Sequence, residues 1–446
     1  MEPDLSGKTV AVVGAGRSGV AAARFLAAAG ARVRLTDAGR PELPRLPGVE
    51  LFLGGHPEAC FAGVDEVVLS PGVPRRHPVV QGLLARGVPV VGEVELAFRH
   101  SRRPWLAVTG TNGKSTTVAW LHAILEGAGE AAVLGGNIGT PAVEVACDGA
   151  TGPCVVELSS FQLESIATLR PRVAVLLNVT PDHEDRYPDF DAYRAAKLRI
   201  FENQGPGDTG IVCRDDPALA EAAAGRLGFA LAPRPGAQAW VEGGWVRVET
   251  ERFCGRLLPA AEIALPGRHN QANALAAALA ALAWGVTPEA VAAGLARFRG
   301  LPHRGEVVAE AAGVRYVDNS KATNVGAVAA VLAGYGPGEV VLVAGGSSKG
   351  ADFAPLRGPV ARACDRVLLI GETAPALAAA LAGCCPVEVA ETLERAVARA
   401  REVARPGQTV LLAPACASFD QFTGYAHRGR RFAELAAAGG RRPPAE

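Results

Sequence analysis

Seven consecutive residues carry the strongest chemical signal in this chain: Gly110, Thr111, Asn112, Gly113, Lys114, Ser115 and Thr116. An apolar run ends at Thr109, and an apolar helical pattern begins at Ser115. At such a turn backbone N–H groups cradle phosphate, a lysine reaches the outer phosphates and a hydroxyl binds magnesium. The general phosphate-loop pattern has a glycine five positions before Gly113, and Val108 stands there. Magnesium also needs a carboxylate. Glu157 closes the strand-like run 154–157, where a Walker-B-type acid would sit, although a surface glutamate is the plainer reading of that residue alone.

Three further groups could do chemistry. Asp182 and His183 are adjacent beyond a proline turn after the run 173–178. His183 could ligate a second magnesium, an unusual choice for a hard cation, and a loop histidine is the alternative. Lys197 lies between Arg194 and Arg199 on a helical pattern. Gly14, Gly16 and Gly19 form a GxGxxG turn between strand 9–13 and helix 20–29, and Asp37 follows the next strand. That turn brings backbone against a pyrophosphate and the acid against a ribose or base. Nothing in it separates a nicotinamide cofactor from another nucleoside diphosphate, so a dehydrogenase stays open here.

Lysine usage supplies a separate filter. Of 45 basic residues only Lys8, Lys114, Lys197, Lys321 and Lys349 are lysines. Where arginine is the default cation, a surviving lysine points to a task that a guanidinium cannot perform.

These groups need a scaffold. The chain has 446 residues, 49% of them hydrophobic, with 45 basic and 45 acidic residues and no net charge. That is enough for several cored domains, and the balance argues against a nucleic-acid or membrane-surface binder. The nine cysteines show no CxxC or Cys/His spacing, so free thiols in a cytoplasmic protein are expected. No export signal or membrane-spanning run is legible. Strand-like runs at 9–13, 32–36, 66–69, 88–91, 105–109, 154–157, 173–178, 314–318, 340–344, 366–370 and 409–412 alternate with helical patterns. Gly243 and Gly244 mark a hairpin within 233–256. The fold class is α/β in three parts: a Rossmann-like domain over 1–102, a central phosphate-loop domain with a parallel sheet over 103–300, and a Rossmann-like domain over 301–446.

Eight motifs run in order: GTNGKST at 110–116, ELSSFQ at 157–162, NVTPDH at 178–183, AKLRIF at 196–201, GRHNQAN at 267–273, HR at 303–304, SKATNVG at 320–326 and PACASFDQF at 414–422. Together they resemble the Mur ligases over about residues 7–436. GTNGKST alone is shared with folylpolyglutamate synthases. The last two motifs are the more specific and resemble the branch that adds D-glutamate.

The resemblance implies an ATP-dependent amide ligase acting on UDP-N-acetylmuramoyl-L-alanine. Addition of L-glutamate or another amino acid is the alternative within ligases. ATP would phosphorylate the alanyl carboxylate, and the amine of glutamate would attack the acyl phosphate. Several anions must then share a small volume, which metals and lysines offset. By resemblance, residues 110–116, Asn270, Arg304 and Asp318 hold ATP. Ser115 and Glu157 bind one magnesium, His183 and a carbamylated Lys197 serve a second, and Mn2+ is a conceivable substitute. Arginine stays protonated and cannot take up carbon dioxide. Arg17, Ser18, Asp37, Ser70, Gly72, Asn137, Ser159 and His183 face the UDP substrate. Lys321, Thr323, Lys349, Ser418, Phe419 and Tyr425 face glutamate, and Lys114, His183, Lys197, Lys321 and Lys349 form the catalytic set.

Two positions depart from the family pattern. The usual acid before SKATN is one position early here, as Asp318-Asn319, and strand alternation would turn it to the other face. Ser347 stands where relatives often have an acid. A monomer whose third domain closes on substrate is expected.

Overall fold

The computed structural model describes residues 5–183, 186–347 and 350–438. Lys349 lies outside them. The chain packs as two compact units: Met1–Val179 with Asp191–Ala264 and Ala272–Phe298, and Thr180–Phe190 with Leu265–Gln271 and Arg299–Glu446.

The first unit holds two sheets. One has strands β1 (Thr9–Val13), β2 (Arg32–Asp37), β3 (Val49–Leu53), β4 (Glu66–Leu69) and β5 (Val90–Gly92), all parallel, in the order β3-β2-β1-β4-β5. The order reverses at β1, so its carboxyl end, which carries the GxGxxG turn, opens onto the crevice where such sheets bind ligands.

The other sheet has β6 (Trp105–Thr109), β7 (Val133–Gly136), β8 (Cys154–Glu157), β9 (Val173–Leu176), β10 (Thr209–Cys213), β11 (Leu227–Phe229), β12 (Ala239–Glu242), β13 (Trp245–Glu249) and β14 (Cys254–Pro259), in the order β14-β13-β12-β11-β10-β9-β6-β8-β7. Strand β6 is fully buried between β8 and β9 and delivers the phosphate loop. The expected hairpin is present: β12 and β13 pair antiparallel across Gly243 (φ 56°) and Gly244 (φ 79°), the signature of a type I′ turn.

Two glutamates of helix Glu93–His100 join the two sheets of this unit. Glu93 Oε1 accepts the Val143 N–H (2.8 Å) at the start of helix Ala142–Ala146. Glu95 accepts the N–H groups of Ala167, Thr168 and Leu169. Both are buried.

The second unit holds β15 (Glu306–Ala311), β16 (Val314–Asp318), β17 (Val340–Gly345), β18 (Cys364–Ile370), β19 (Val387–Glu391) and β20 (Thr409–Leu412), in the order β15-β16-β20-β17-β18-β19. Only β15 runs antiparallel. Apolar layers cover both faces, one led by Leu342, Leu356 and Leu377, the other by Val343, Leu393 and Phe432. Strands β16, β20 and β17 are neighbours, so the SKATN, PACAS and Gly345–Ser347 segments leave the sheet side by side.

The first helix begins at Arg17, not at residue 20 as the apolar pattern suggests. Its first turn is polar and glycine-rich because it exposes N–H groups instead of packing a core. No helix among the described residues is long and apolar enough to cross a membrane.

Candidate active site

Gly113 caps helix Lys114–Gly127 with φ 86°, and Gly110 has φ 155°. A Cβ on Gly113 would lie 2.3 Å from Asn273 Oδ1, so the turn tolerates only glycine there. Asn178 holds the loop from the next strand: its Oδ1 accepts the Asn112 N–H (2.8 Å), its Nδ2 donates to Asn112 O (3.0 Å), and its carbonyl accepts the Thr111 N–H. The Thr111 hydroxyl meets the Tyr193 hydroxyl at 3.1 Å. Lys114 Nζ donates to the carbonyls of Gly110 (2.7 Å) and Thr111 (2.9 Å). Lys197, 1% exposed, reaches the same Gly110 carbonyl (2.7 Å) and lies 4.6 Å from the centre of the Tyr193 ring. Two of the five lysines therefore converge on one loop oxygen.

Ser115 and Glu157 meet as the motif spacing suggests. The Ser115 hydroxyl donates to Glu157 Oε2, and Asn137 Nδ2 donates to Oε1 at 2.6 Å. Three oxygen-bearing side chains from three elements thus gather beside the loop, a donor set suited to a hard cation. Ser159 is the N-cap of helix Ser160–Leu163, in a reciprocal capping box with Gln162.

At the first sheet, Gly14 has φ 95°, and a Cβ on Gly19 would fall 1.8 Å from the Gly14 carbonyl, so the helix starts directly against the turn. The Asp37 carboxylate accepts N–H groups from Ala15 (2.7 Å) and Gly39 (2.8 Å), which locks the turn to β2. Ser70 is buried against Gly14, whereas Arg17 and Gly72 are exposed and Ser18 is half-buried.

In the second unit His183 takes φ 58°, and its N–H donates to Asp182 Oδ1 (2.9 Å). Asp182 Oδ2 accepts from Asn324 Nδ2 (3.0 Å), tying the NVTPDH and SKATN segments together. Asn270 donates to the Pro266 carbonyl, and Arg304 is half-buried. Asp318 is fully buried; its carboxylate accepts from His303 Nδ1 (2.6 Å) and from the Ser320 N–H (2.8 Å). The aspartate bond holds the His303 imidazole above its ordinary pKa. With Glu306, these two form a compact trio of potential metal ligands among the described residues. Asn319 is also buried, and its N–H pairs with Leu412.

Lys321 Nζ lies 4.0 Å from the centre of the Tyr425 ring, a cation–π contact, and His303 meets the same ring edge-on. Ser418 is buried, Phe419 is 74% exposed, and Thr323 is half-buried. Ser347 pairs with Ala417, and its hydroxyl accepts the Phe419 N–H (3.2 Å).

One residue behind these loops escapes sequence reasoning. Arg428 is fully buried and donates to Ser320 Oγ and O, Cys416 O and Ala417 O, at 3.0–3.2 Å. Burial pushes its guanidinium down to about 10, still a cation at neutral pH. It braces the SKATN and PACAS segments from below.

Residues 8–92 match the MurD-like N-terminal domain of Mur ligases, 108–281 the Mur ligase middle domain, and 303–416 the Mur ligase glutamate ligase domain. The chain is 43% identical to the UDP-N-acetylmuramoylalanine–D-glutamate ligase of Pelotomaculum thermopropionicum, over 98% of each chain. It is 48% identical to that of Anaeromyxobacter dehalogenans, over 97% of this chain and 98% of the relative. The UDP-N-acetylmuramate-alanine ligase of Thermotoga maritima shares the fold, with TM-score 0.62 and 19% identity over 97% of this chain and 99% of its own. Three matches in chain order and near-full-length identity to these relatives lead to one conclusion: the chain belongs to the Mur ligase family.

Proposed function

We propose that this chain is an ATP-dependent ligase that adds D-glutamate to UDP-N-acetylmuramoyl-L-alanine, releasing ADP and phosphate. The observation that carries the reading is the meeting of Ser115, Glu157 and Asn137 beside a glycine-built phosphate loop. The reaction needs a γ-phosphate and a carboxylate brought together, and this is where their charge can be offset. The names of the near-full-length relatives support the choice of substrates.

In this reading the backbone of residues 110–116 and Lys114 hold the ATP phosphates, with Lys114 exchanging loop carbonyls for phosphate oxygens. Asn270, Arg304 and Asp318 serve the rest of ATP. Arg17, Ser18, Asp37, Ser70 and Gly72 serve the UDP moiety, with Asn137, Ser159 and His183 toward the acceptor. Lys321, Thr323, Lys349, Ser418, Phe419 and Tyr425 orient glutamate so that its amine attacks the acyl phosphate and the tetrahedral intermediate expels phosphate. Magnesium, held by Ser115 and Glu157, with His183 and a Lys197 carbamate for a second ion, would supply charge neutralisation. The three domains divide near residues 102 and 300, and the working form is a cytoplasmic monomer.

The test is phosphate release with ATP, Mg2+ and UDP-N-acetylmuramoyl-L-alanine, comparing D-glutamate, L-glutamate and diamino acids. D-glutamate alone should support turnover. Equal rates with all would remove the specificity, and no release with any would remove the ligase.

A further inference from the structure

We propose that Asn324 is a positioning residue: its side-chain amide holds Asp182 and so sets His183 from the segment that carries Lys321 and Thr323. The inference rests on the reading above that His183 serves the acceptor and a metal while the SKATN segment serves glutamate. Asn324 ends that segment and caps helix Val325–Leu332. Its Oδ1 accepts the Ala327 N–H (2.8 Å), and its Nδ2 donates to Asp182 Oδ2 (3.0 Å). The cap fixes which end of the amide is oxygen, so the nitrogen faces the carboxylate. One side chain thus does two separable jobs, and only the first is that of an ordinary N-cap.

The Asp182 carboxylate carries the hold onward. Its Oδ1 accepts the N–H of His183, whose backbone lies at φ 58°, a left-handed conformation that a non-glycine residue keeps only when its surroundings impose it. The His183 carbonyl accepts the N–H groups of Arg186 and Tyr187, which fixes the turn from its other side. Asp182 Oδ2 also lies 3.9 Å from His183 Nε2, beyond hydrogen-bond reach. With Asn324 bonded to Oδ2, the carboxylate keeps one rotation, its Oδ1 on the His183 backbone. Released from Asn324, it would be free to turn onto the imidazole and take a ring nitrogen that the proposed metal site needs.

Chain connectivity gives this hold its purpose. Asn178 is bonded to the phosphate loop, and the Val179 N–H donates to Asp216 Oδ2 (2.7 Å). The boundary between the compact units falls immediately afterwards, between Val179 and Thr180. Thr180 and Pro181 then lead to Asp182, which packs with the SKATN segment. Asn178 and His183 leave the same strand, yet each is held by a different unit. Asn324 assigns His183 to the unit of the SKATN segment, so ordering of that segment by an amino acid is felt at His183 through two hydrogen bonds.

The experiment is a double-mutant cycle on the full chain, with Asn324→Ser as a further variant. Asn324→Asp keeps an N-cap acceptor and sets a carboxylate against Asp182. Asp182→Asn alone sets amide donor against amide donor. Together the two changes restore the bond with donor and acceptor exchanged, and an oxygen remains for the His183 N–H. Asn324→Ser keeps the cap and is too short to reach Asp182. Two quantities are read: kcat, and exchange of the His183 amide in metal-free, substrate-free protein. Each single variant should lower kcat and speed the exchange by about tenfold or more, with KM for ATP and the melting temperature held. The double variant should return both to within about threefold of wild type. A double variant no better than its singles, or singles that speed the exchange without lowering kcat, would overturn the positioning role. So would an Asn324→Ser protein that matches wild type in both. A wild type that turns over no amino acid would overturn the ligase reading instead, and the exchange arm would still decide whether Asn324 holds His183.

Discussion

Glu93→Gln should make the first unit less sensitive to pH. The Glu93 side chain is 1% exposed; Oε1 accepts the Val143 N–H, and Oε2 is buried without a partner. Burial pushes this carboxyl up to about 7, with the Val143 and Ala142 N–H groups opposing and Glu144 adding to the rise. The folded carboxyl thus keeps its proton where an unfolded one, near 4.5, has lost it. The stabilisation is fully present below about 4.5 and is lost as pH rises through about 7. Between pH 5 and pH 8 the loss is about 2.5 kcal/mol. Glutamine keeps an oxygen for Val143 and carries no charge at any pH. All five tryptophans (105, 120, 240, 245 and 284) lie in this unit, so urea unfolding followed by tryptophan fluorescence reads it alone. The stability gap between variant and wild type should move by about 2.5 kcal/mol in favour of the variant from pH 5 to pH 8. A gap that stays constant over that range would refute the assignment of a buried, protonated carboxyl to Glu93.

Three other substitutions follow from the site. Gly113→Ala places a methyl group against Asn273 at φ 86°, so KM for ATP should rise by about tenfold or more, with UDP affinity unchanged. Arg428→Met fills the same space but strips donors from Ser320, Cys416 and Ala417; calorimetry should show a loss of about 3 kcal/mol in the second unit, and KM for glutamate should rise. Lys197→Ala should lower turnover by about 100-fold or more, with partial rescue by small carboxylic acids, while Lys197→Arg stays inactive. Full activity in the unrescued alanine variant would exclude the carbamate.

Strands buried on both faces were the most legible elements. Thr9–Val13, Trp105–Thr109, Cys154–Glu157 and Thr409–Leu412 have the ends that their apolar runs suggest, because a parallel strand covered on both faces reads as a continuous apolar run, and the one charge among them, Glu157, stands at a strand end with hydrogen-bond partners. Three edge strands were not. Val49–Leu53, Glu306–Ala311 and Val387–Glu391 mix polar and apolar residues, and only pairing to a neighbour makes them strands. The Ser115–Glu157 contact was legible because loop and acid end adjacent strands. Arg428 was not: one arginine among 40 looks like surface, and only the return of the last helix beneath two distant loops buries it. Glu93 hid similarly, since its partner is a backbone N–H 50 residues away. The lysine filter reached Lys114 and Lys197, which meet at one carbonyl, and was silent on Asn178, whose neutral side chain holds the loop.

The central claim is that a carboxylate is activated by phosphoryl transfer. UDP-N-acetylmuramoyl-L-alanine labelled with oxygen-18 in its alanyl carboxylate, turned over with ATP and D-glutamate, tests it most directly. Mass spectrometry should find one labelled oxygen in each phosphate released and one retained in the new amide. Phosphate free of label would contradict the acyl-phosphate route and the account built on it.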